Sequence, residues 1–397
     1  MAKIIVDKTL CDLFRAYYDA RRNKRLTFNA LFFEKKYEAN LFKLYEEIIS
    51  EKYSISPSVC FISFKPLKRE IFAANFRDRI VHHFVYNYIG PIFERLFIND
   101  TCSCRIGKGT SYGVKRLGHF IRSCSENYKK DCYILKLDIK GYFMGIDHVI
   151  LYEKIEKSLN RYREIEDFDV DLILKLVHQI VFHDSTKGCR ITGKKEDWQG
   201  LPKNKSLFFA DPDKGLPIGN LTSQLFGNVY LNDFDHFVRY MLGCKYYGRY
   251  VDDIVIVHRD KEYLKSIIPL VGSYLESNLY LKIHPKKIYL QHFNKGVRFL
   301  GAFLKPYRTY IGNQTKGNFY NKIQYWNDFL MERNFNLSEN DLNLFLSSSN
   351  SYLGMMKQYN TYRLREKILT QKLSSDFLNY VHFFDDYAKI IVNEKEK

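Results

Sequence analysis

Asp252 and Asp253 stand side by side in Lys245-Tyr-Tyr-Gly-Arg-Tyr-Val-Asp-Asp-Ile-Val-Ile-Val-His258, with β-forming apolar residues on both sides. The pattern predicts two strands around a tight turn at Asp252-Asp253, one carboxylate facing inward and the other partly exposed. An Asp pair is by itself a common solvated hairpin turn. Held at a buried tip, the two charges repel and need a cation. Asp138 tips the balance: it closes a second apolar run, Cys132-Tyr-Ile-Leu-Lys-Leu-Asp-Ile139, that reads as a buried strand with the acid at its exit. Three carboxylates converging on one point are the hard oxygen donors with which a pair of Mg²⁺ ions bridges a triphosphate and an attacking hydroxyl.

These acids need a scaffold of strands and helices in a set order. After the strand ending at Asp138, apolar periodicity predicts helices near 147–159 and 168–183. A polar, Gly- and Lys-rich insertion follows between 184 and 216, then a helix from Gly219 to Met241 that leads into the Asp252-Asp253 hairpin. A helix over about 260–277, a strand pair over 280–291 and the run Gly296–Leu304 complete the unit, in the order of a split βαβ palm. Upstream, residues 1 to about 60 read as two helices, with Leu13, Phe14, Tyr17 and Leu41, Leu44, Tyr45, Ile48 at helical spacing around the basic turn Arg21-Arg22-Asn23-Lys24-Arg25. Pro66-Leu-Lys-Arg-Glu-Ile71 reads as extended, Phe76 onward as a helix ending near Gly90-Pro91, and Arg105 to Arg122 as a loop opening a helix. After Pro306 the chain turns helical and polar. The fold class is α+β.

Composition agrees with a phosphate-rich partner. Lys plus Arg outnumber Asp plus Glu by 62 to 45, a net charge of +17 spread along 397 residues, and 31 Tyr with 31 Phe offer faces on which unpaired bases stack. The eight cysteines are scattered without Cys-x-x-Cys spacing, so a disulfide scaffold is excluded, and Cys102, Cys104, His119 and Cys124 match no defensible zinc pattern. The N-terminal segment carries charges where a signal peptide needs an apolar stretch, and no run approaches the roughly 18 apolar residues of a membrane span. The expectation is a cytoplasmic protein with no membrane partner.

Phe143 lies five residues beyond Asp138, and with Asp138-Ile-Lys-Gly-Tyr-Phe143 the chain resembles reverse transcriptases. The resemblance runs in order from about 65 to 305. It implies a right-hand polymerase: an N-terminal helical extension at 1–60, fingers at 61–130, a palm at 131–305 with a fingers insertion at about 184–214, and a helical thumb at 306–397. Asp138, Asp252 and Asp253 would be the catalytic metal ligands, with the Ile139 carbonyl as a fourth, for two Mg²⁺ ions or Mn²⁺ in their place. Phe143 would be the gate that excludes a ribose 2′-hydroxyl. Lys68-Arg69-Glu70-Ile71 and Arg77-Asp78-Arg79-Ile80 look like the fingers motif, in which Arg69 stacks on the incoming deoxynucleoside triphosphate and Lys68 neutralises its phosphates. Ser103 to Arg122 looks like the second motif of bacterial enzymes. Lys214-Gly-Leu-Pro-Ile-Gly-Asn-Leu-Thr-Ser-Gln224 matches the motif along the nascent pair, giving Ile218, Gly219 and Gln224 nucleotide-binding roles. Lys286 or Lys287 would meet the leaving pyrophosphate, and Phe299-Leu300-Gly301 would be the primer grip.

One departure narrows the resemblance. Ile218-Gly219 and Ser223-Gln224 stand where most reverse transcriptases have Gln-Gly and Ser-Pro, a variant similar to the enzymes of diversity-generating retroelements. That implies error-prone copying of an RNA template, above all at adenines, from a DNA or RNA primer, with a small basic accessory protein as partner. The alternatives are a phage-defence or other bacterial reverse transcriptase, and a nucleic-acid-binding scaffold with a dead palm.

Overall fold

The computed structural model describes residues 7–22, 27–64 and 67–393. Asn23-Lys24-Arg25 of the basic turn and Pro66 of the extended segment lie outside the described residues. The chain divides into two compact units built from interleaved segments. The first takes Met1–Gly107, Lys136–Ile256 and Glu262–Tyr289; the second takes Lys108–Leu135, Val257–Lys261 and Leu290–Lys397.

A four-stranded sheet carries the site, with strands in the order Tyr246–Tyr250, Asp253–His258, Tyr133–Asp138, Tyr289–His292. Helices His148–Tyr162, Val170–Phe182 and Leu221–Tyr230 lie in sequence between strand Tyr133–Asp138 and the hairpin, and Lys261–Leu279 between the hairpin and strand Tyr289–His292. That order is the split βαβ palm of an α+β right-hand polymerase. The two central strands are largely apolar and buried, whereas the outer strands Tyr246–Tyr250 and Tyr289–His292 are mixed. Ile134, Leu135, Leu137, Ile254, Val255, Ile256 and Val257 are all buried.

Within the first unit, strands Val59–Ser63 and Arg69–Ala73 form an antiparallel ribbon, extended by the short parallel strand Arg190–Ile191 from the insertion. Glu70 is buried on this ribbon and accepts from Trp198 Nε1 (2.7 Å), Ser206 Oγ (2.8 Å) and the Leu207 amide (2.6 Å). A carboxylate with three donors is a satisfied buried charge, and it ties the otherwise polar insertion to the ribbon.

The second unit has its own core. Phe319, Ile323, Trp326 and Leu330 from helix Asn313–Glu332 pack with Phe345, Leu353, Ile368 and Phe377, and with Val381 and Ile390 of a C-terminal hairpin, Val381–Phe384 with Lys389–Val392. A three-stranded meander, Val297–Phe299, Ala302–Lys305 and Arg308–Ile311, belongs to the same unit, as does helix Thr110–Cys124, whose Gly118 lies against Leu304.

Several expectations change. Among the described residues the N-terminal region has three helices, Lys8–Arg21, Phe28–Glu34 and Tyr37–Ile49, rather than two. The helix from Phe76 runs through Pro91 to Leu96, because Ile89, Ile92 and Phe93 continue its buried stripe and packing outweighs the lost hydrogen bond. The expected helix Gly219–Met241 is three pieces, Leu221–Tyr230, Asn232–His236 and a π-helical turn Phe237–Met241. Of the strand pair at 280–291 only Tyr289–His292 forms; Pro285 and the turn in which the Lys287 amide donates to His284 O interrupt the rest. The run Gly296–Leu304 is a hairpin turning at Leu300-Gly301, not one strand of the palm sheet. The tail after Pro306 adds a strand and a hairpin to its helices.

Candidate active site

The tip of the central hairpin is Val251-Asp252, with Asp253 already the first residue of the next strand, one position earlier than the sequence predicts. Val251 has φ 56° and Asp252 does not share the positive φ, as in a type II′ turn. A β-branched residue in the left-handed region is uncommon and costs energy, so the surroundings must hold it. They do. Ser103 Oγ accepts from the Val251 amide at 3.1 Å, and Arg249 Nη1 donates to the Val251 carbonyl at 2.9 Å. The Arg249 guanidinium also clasps Asp235 with Nε to Oδ1 at 2.7 Å and Nη2 to Oδ2 at 2.6 Å. Tyr247 and Thr101 hydroxyls donate to the same carboxylate, and Asn228 joins the cluster through Ser103. Burial works against the Arg249 charge, but Asp235 more than offsets it and holds the guanidinium protonated.

Asp138 ends its strand beside this tip. The Ile139 amide donates to Asp252 O (3.3 Å) and the His284 amide to Asp138 O (2.7 Å). Burial, then the charges of Asp138 and Asp253, push the Asp252 carboxyl up to about 6. Two ammonium groups share the remaining charge: Lys287 Nζ is 2.7 Å from Asp138 Oδ2 and Lys136 Nζ is 3.1 Å from Asp253 Oδ1. Of the pair Lys286 and Lys287, Lys287 is therefore the one at the acids.

Around the acids, residues 213–216 run along 143–148: the Leu216 amide donates to Phe143 O (2.8 Å) and the Gly215 amide to Ile146 O (2.8 Å). Phe143 is partly exposed, its ring lying over Gly227, where a Cβ would stand 3.4 Å from Phe143 Cε1. The Ile218 carbonyl accepts from the Phe72 amide at 2.9 Å, joining this segment to the ribbon that begins at Arg69. Gly219 next to it has φ 133°, and a Cβ there would lie 2.9 Å from Phe72 O, so only glycine fits this approach. Ile218 is half-buried and Gln224 exposed on its helix. Exposed Arg69 lies near Tyr250, whose hydroxyl is pushed up by burial and partly relieved by the guanidinium. Lys68 Nζ donates to Gln199 O at 2.6 Å.

Residues 67–304, more than half of the chain, match the family Reverse transcriptase (RNA-dependent DNA polymerase). This chain belongs to that family. Protein YkfC of Escherichia coli (strain K12) is 23% identical over 268 residues, 59% of this chain and 63% of that relative's length. Among solved structures, apo telomerase from Candida tropicalis aligns over 85% of this chain and 64% of its own, at 11% identity and TM-score 0.47. Telomerase from Candida albicans in complex with a TWJ fragment of telomeric RNA aligns over 85% and 61%, at 12% and 0.45.

Reverse transcriptases generally use divalent metal ions. Among the described residues no group of three or more His, Cys, Asp or Glu forms a ready-made cage, and the eight cysteines are free thiols. The chemistry of the three aspartates nonetheless fits Mg²⁺. They are all-oxygen donors in one place, close enough that Asp138 and Asp253 push the Asp252 carboxyl up, and Lys287 and Lys136 already supply cationic groups there.

Other motif residues of the reverse transcriptase domain are structural. Asp78 is buried and accepts from Tyr53 Oη (2.9 Å) and the Ser56 amide (3.1 Å), and Arg77 pairs with Glu47. Ser103 to Arg122 is divided: Ser103 supports the hairpin, while helix Thr110–Cys124 lies in the second unit, as do Phe299, Leu300 and Gly301. Sequence reasoning missed Lys136, Asp235 and Arg249. An arginine between glycine and tyrosine in the strand Tyr246–Tyr250, just before the apolar run from Ile254, was the available signal, because a buried guanidinium demands a carboxylate.

Proposed function

We propose that this chain is an RNA-directed DNA polymerase joining a primer 3′-hydroxyl to the α-phosphorus of a deoxynucleoside triphosphate, with pyrophosphate leaving. The observation that carries this is the meeting of three carboxylates: the Ile139 amide after Asp138 donates to Asp252 O, Lys287 Nζ is 2.7 Å from Asp138 Oδ2, Lys136 Nζ is 3.1 Å from Asp253 Oδ1, and burial with the charges of Asp138 and Asp253 pushes the Asp252 carboxyl up. Such crowding of charge is costly in a structural turn and useful where charge must be neutralised at a reacting phosphate. When bound, divalent ions would polarise the phosphates and lower the pKa of the attacking hydroxyl; Asp138, Asp252, Asp253 and the Ile139 carbonyl would hold them. Lys287 would place an ammonium beside the leaving phosphates. Arg69 and Lys68 would hold the nucleotide by a planar stack and a point charge. Phe143, resting on Gly227, would close the space beside the sugar C2′.

On this reading residues 1–60 are an N-terminal helical extension, 61–130 and about 184–214 form the fingers, 131–305 are the palm and 306–397 the thumb, with Phe299-Leu300-Gly301 gripping the primer. Ile218 with Gly219 and Ser223 with Gln224 favour the diversity-generating retroelement type: error-prone copying of an RNA template for mutagenic retrohoming, with a small basic accessory protein. Extension of a DNA primer on an RNA template tests the reading. Mg²⁺-dependent extension by the native chain, lost in Asp252→Asn, supports it. A well-folded native chain that extends no primer with Mg²⁺ or Mn²⁺ leaves it a binding scaffold.

A further inference from the structure

The second unit holds a cavity of about 780 Å³ that the polymerase reading does not use. Lys115 and Arg122 line it from helix Thr110–Cys124, Lys305 and Arg308 from the two sides of a hairpin turn, and among the described residues no aspartate or glutamate lines it. Lys115 and Arg122 are two helical turns apart on one face, about 10 Å along the axis, a spacing that suits successive phosphates of one strand. Four cations around one concavity repel one another unless a polyanion spans them. Tyr128 and Tyr307 also line the cavity, with ring centroids 4.5 Å apart. Tyr307 is 82% exposed, so one face of the pair is open. Both tyrosines hold left-handed backbone, φ 68° and 61°, a conformation bulky residues adopt only when the surroundings impose it. Cations spaced along a groove with an open aromatic face are what a single strand requires: charges for its phosphates and a platform for a base.

We propose that this cavity binds a single-stranded polynucleotide, with phosphates on Lys115, Arg122, Lys305 and Arg308 and a base stacked on Tyr307. This goes beyond the polymerase reading and stands without it. A natural occupant is template RNA outside the stretch being copied.

The test uses the full chain loaded with an unlabelled template–primer duplex. A labelled 12-nucleotide RNA carrying 4-thiouridine, the same sequence as DNA, and AMP are then added. The RNA is expected to photo-crosslink to Tyr128 or Tyr307. Single-strand binding loses about 0.7 of log–log salt slope per phosphate contact, so Lys115→Glu/Arg122→Glu/Arg308→Glu should flatten the slope by about 2 and weaken binding tenfold or more. Extension of a short duplex by the triple variant should stay near that of the native chain. Equal binding of RNA and DNA makes the site strand-specific without sugar choice, and tighter RNA binding assigns it to RNA. Cross-links elsewhere with an unchanged slope overturn the proposal. So does AMP competing as well as the 12-mer, which makes it a mononucleotide site. Lost extension with unchanged 12-mer binding overturns it too, and places these cations on the polymerase track.

Discussion

Arg249 and Asp235 form an ion pair in which both side chains are fully buried, 2.6 Å apart, and the same guanidinium holds the carbonyl of Val251 at the turn beside the metal-ligand candidates. One arginine thus joins helix Asn232–His236 to the turn at Val251. Removing one member of a buried pair strands the other and costs roughly 3–5 kcal/mol. Asp235→Asn and Arg249→Met are each expected to destabilise the chain by that order in urea unfolding. The double variant should be less destabilised than the sum of the singles, because no charge is left unpaired. Additive losses would mean the two residues act separately.

The Asp252 carboxyl has a pH signature. Its folded value of about 6 lies above its ordinary 3.8, so its protonation favours folding at low pH, and that contribution fades as pH rises through about 4 to 6. Without divalent ions, the native chain should therefore lose on the order of 3 kcal/mol across that window relative to Asp252→Asn. Mg²⁺ should restore part of it above pH 6, where the carboxylate is ionised. Thermal melts at pH 4.5 and 7.5 with and without Mg²⁺ measure this. Parallel pH profiles for both proteins would place the shift elsewhere.

Lys287 lowers the Asp252 value, whereas Lys286 is not seen at the acids. Lys287→Ala should raise the pH at which extension is half-maximal and cut its rate at pH 7 tenfold or more, with Lys286→Ala near native. Similar losses in both would mean that neither has a special place.

Phe143 rests on Gly227 and is partly exposed, which suits a wall of the nucleotide space better than a core ring. Phe143→Ala is expected to fold and to raise ribonucleotide incorporation relative to deoxyribonucleotide. If the ring is core after all, the loss appears as about 3 kcal/mol or more of stability with sugar choice unaltered.

Ile218 offers shape and dispersion where the resemblance to reverse transcriptases would place a hydrogen-bonding glutamine. Its side chain is half-buried and its carbonyl is already used by Phe72, so Ile218→Gln should be accommodated. A contact of this kind is worth on the order of 1–3 kcal/mol, roughly ten- to two-hundred-fold in selectivity. We expect the variant to lower misincorporation opposite template adenine more than opposite other bases. Sequencing cDNA made by both proteins on one RNA template decides it, and equal adenine error in an active variant rejects the role of Ile218.

The strand ending at Asp138 and the hairpin at Asp252 could be read from sequence because alternation, apolar runs and acids at strand ends are local signals. Lys287 was read only as one of a pair, since its choice over Lys286 depends on the turn at Pro285. The Arg249–Asp235 clasp joins residues 14 apart in sequence through the interior, and no local pattern reports that. Glu70 was noted inside a motif, but its three donors lie in an insertion that looked merely polar. Pro91 misled because proline signals a stop only when packing does not insist on continuing.

The interleaving of the two units bears on how the chain is made. Helix Thr110–Cys124 buries Val114, Leu117, Phe120 and Ile121, and its Gly118 meets Leu304, which is synthesised far later. At ribosomal speeds of about 5–20 residues per second, that helix waits roughly ten to forty seconds for its partner strand. The second core is later still, since Ile390 belongs to it. The nascent chain therefore carries this helix without Leu304 against it through nearly half of its synthesis, a natural client for a holding chaperone. Protease protection of stalled chains should appear at this helix only once residues beyond 304 have emerged; earlier protection would give it another partner.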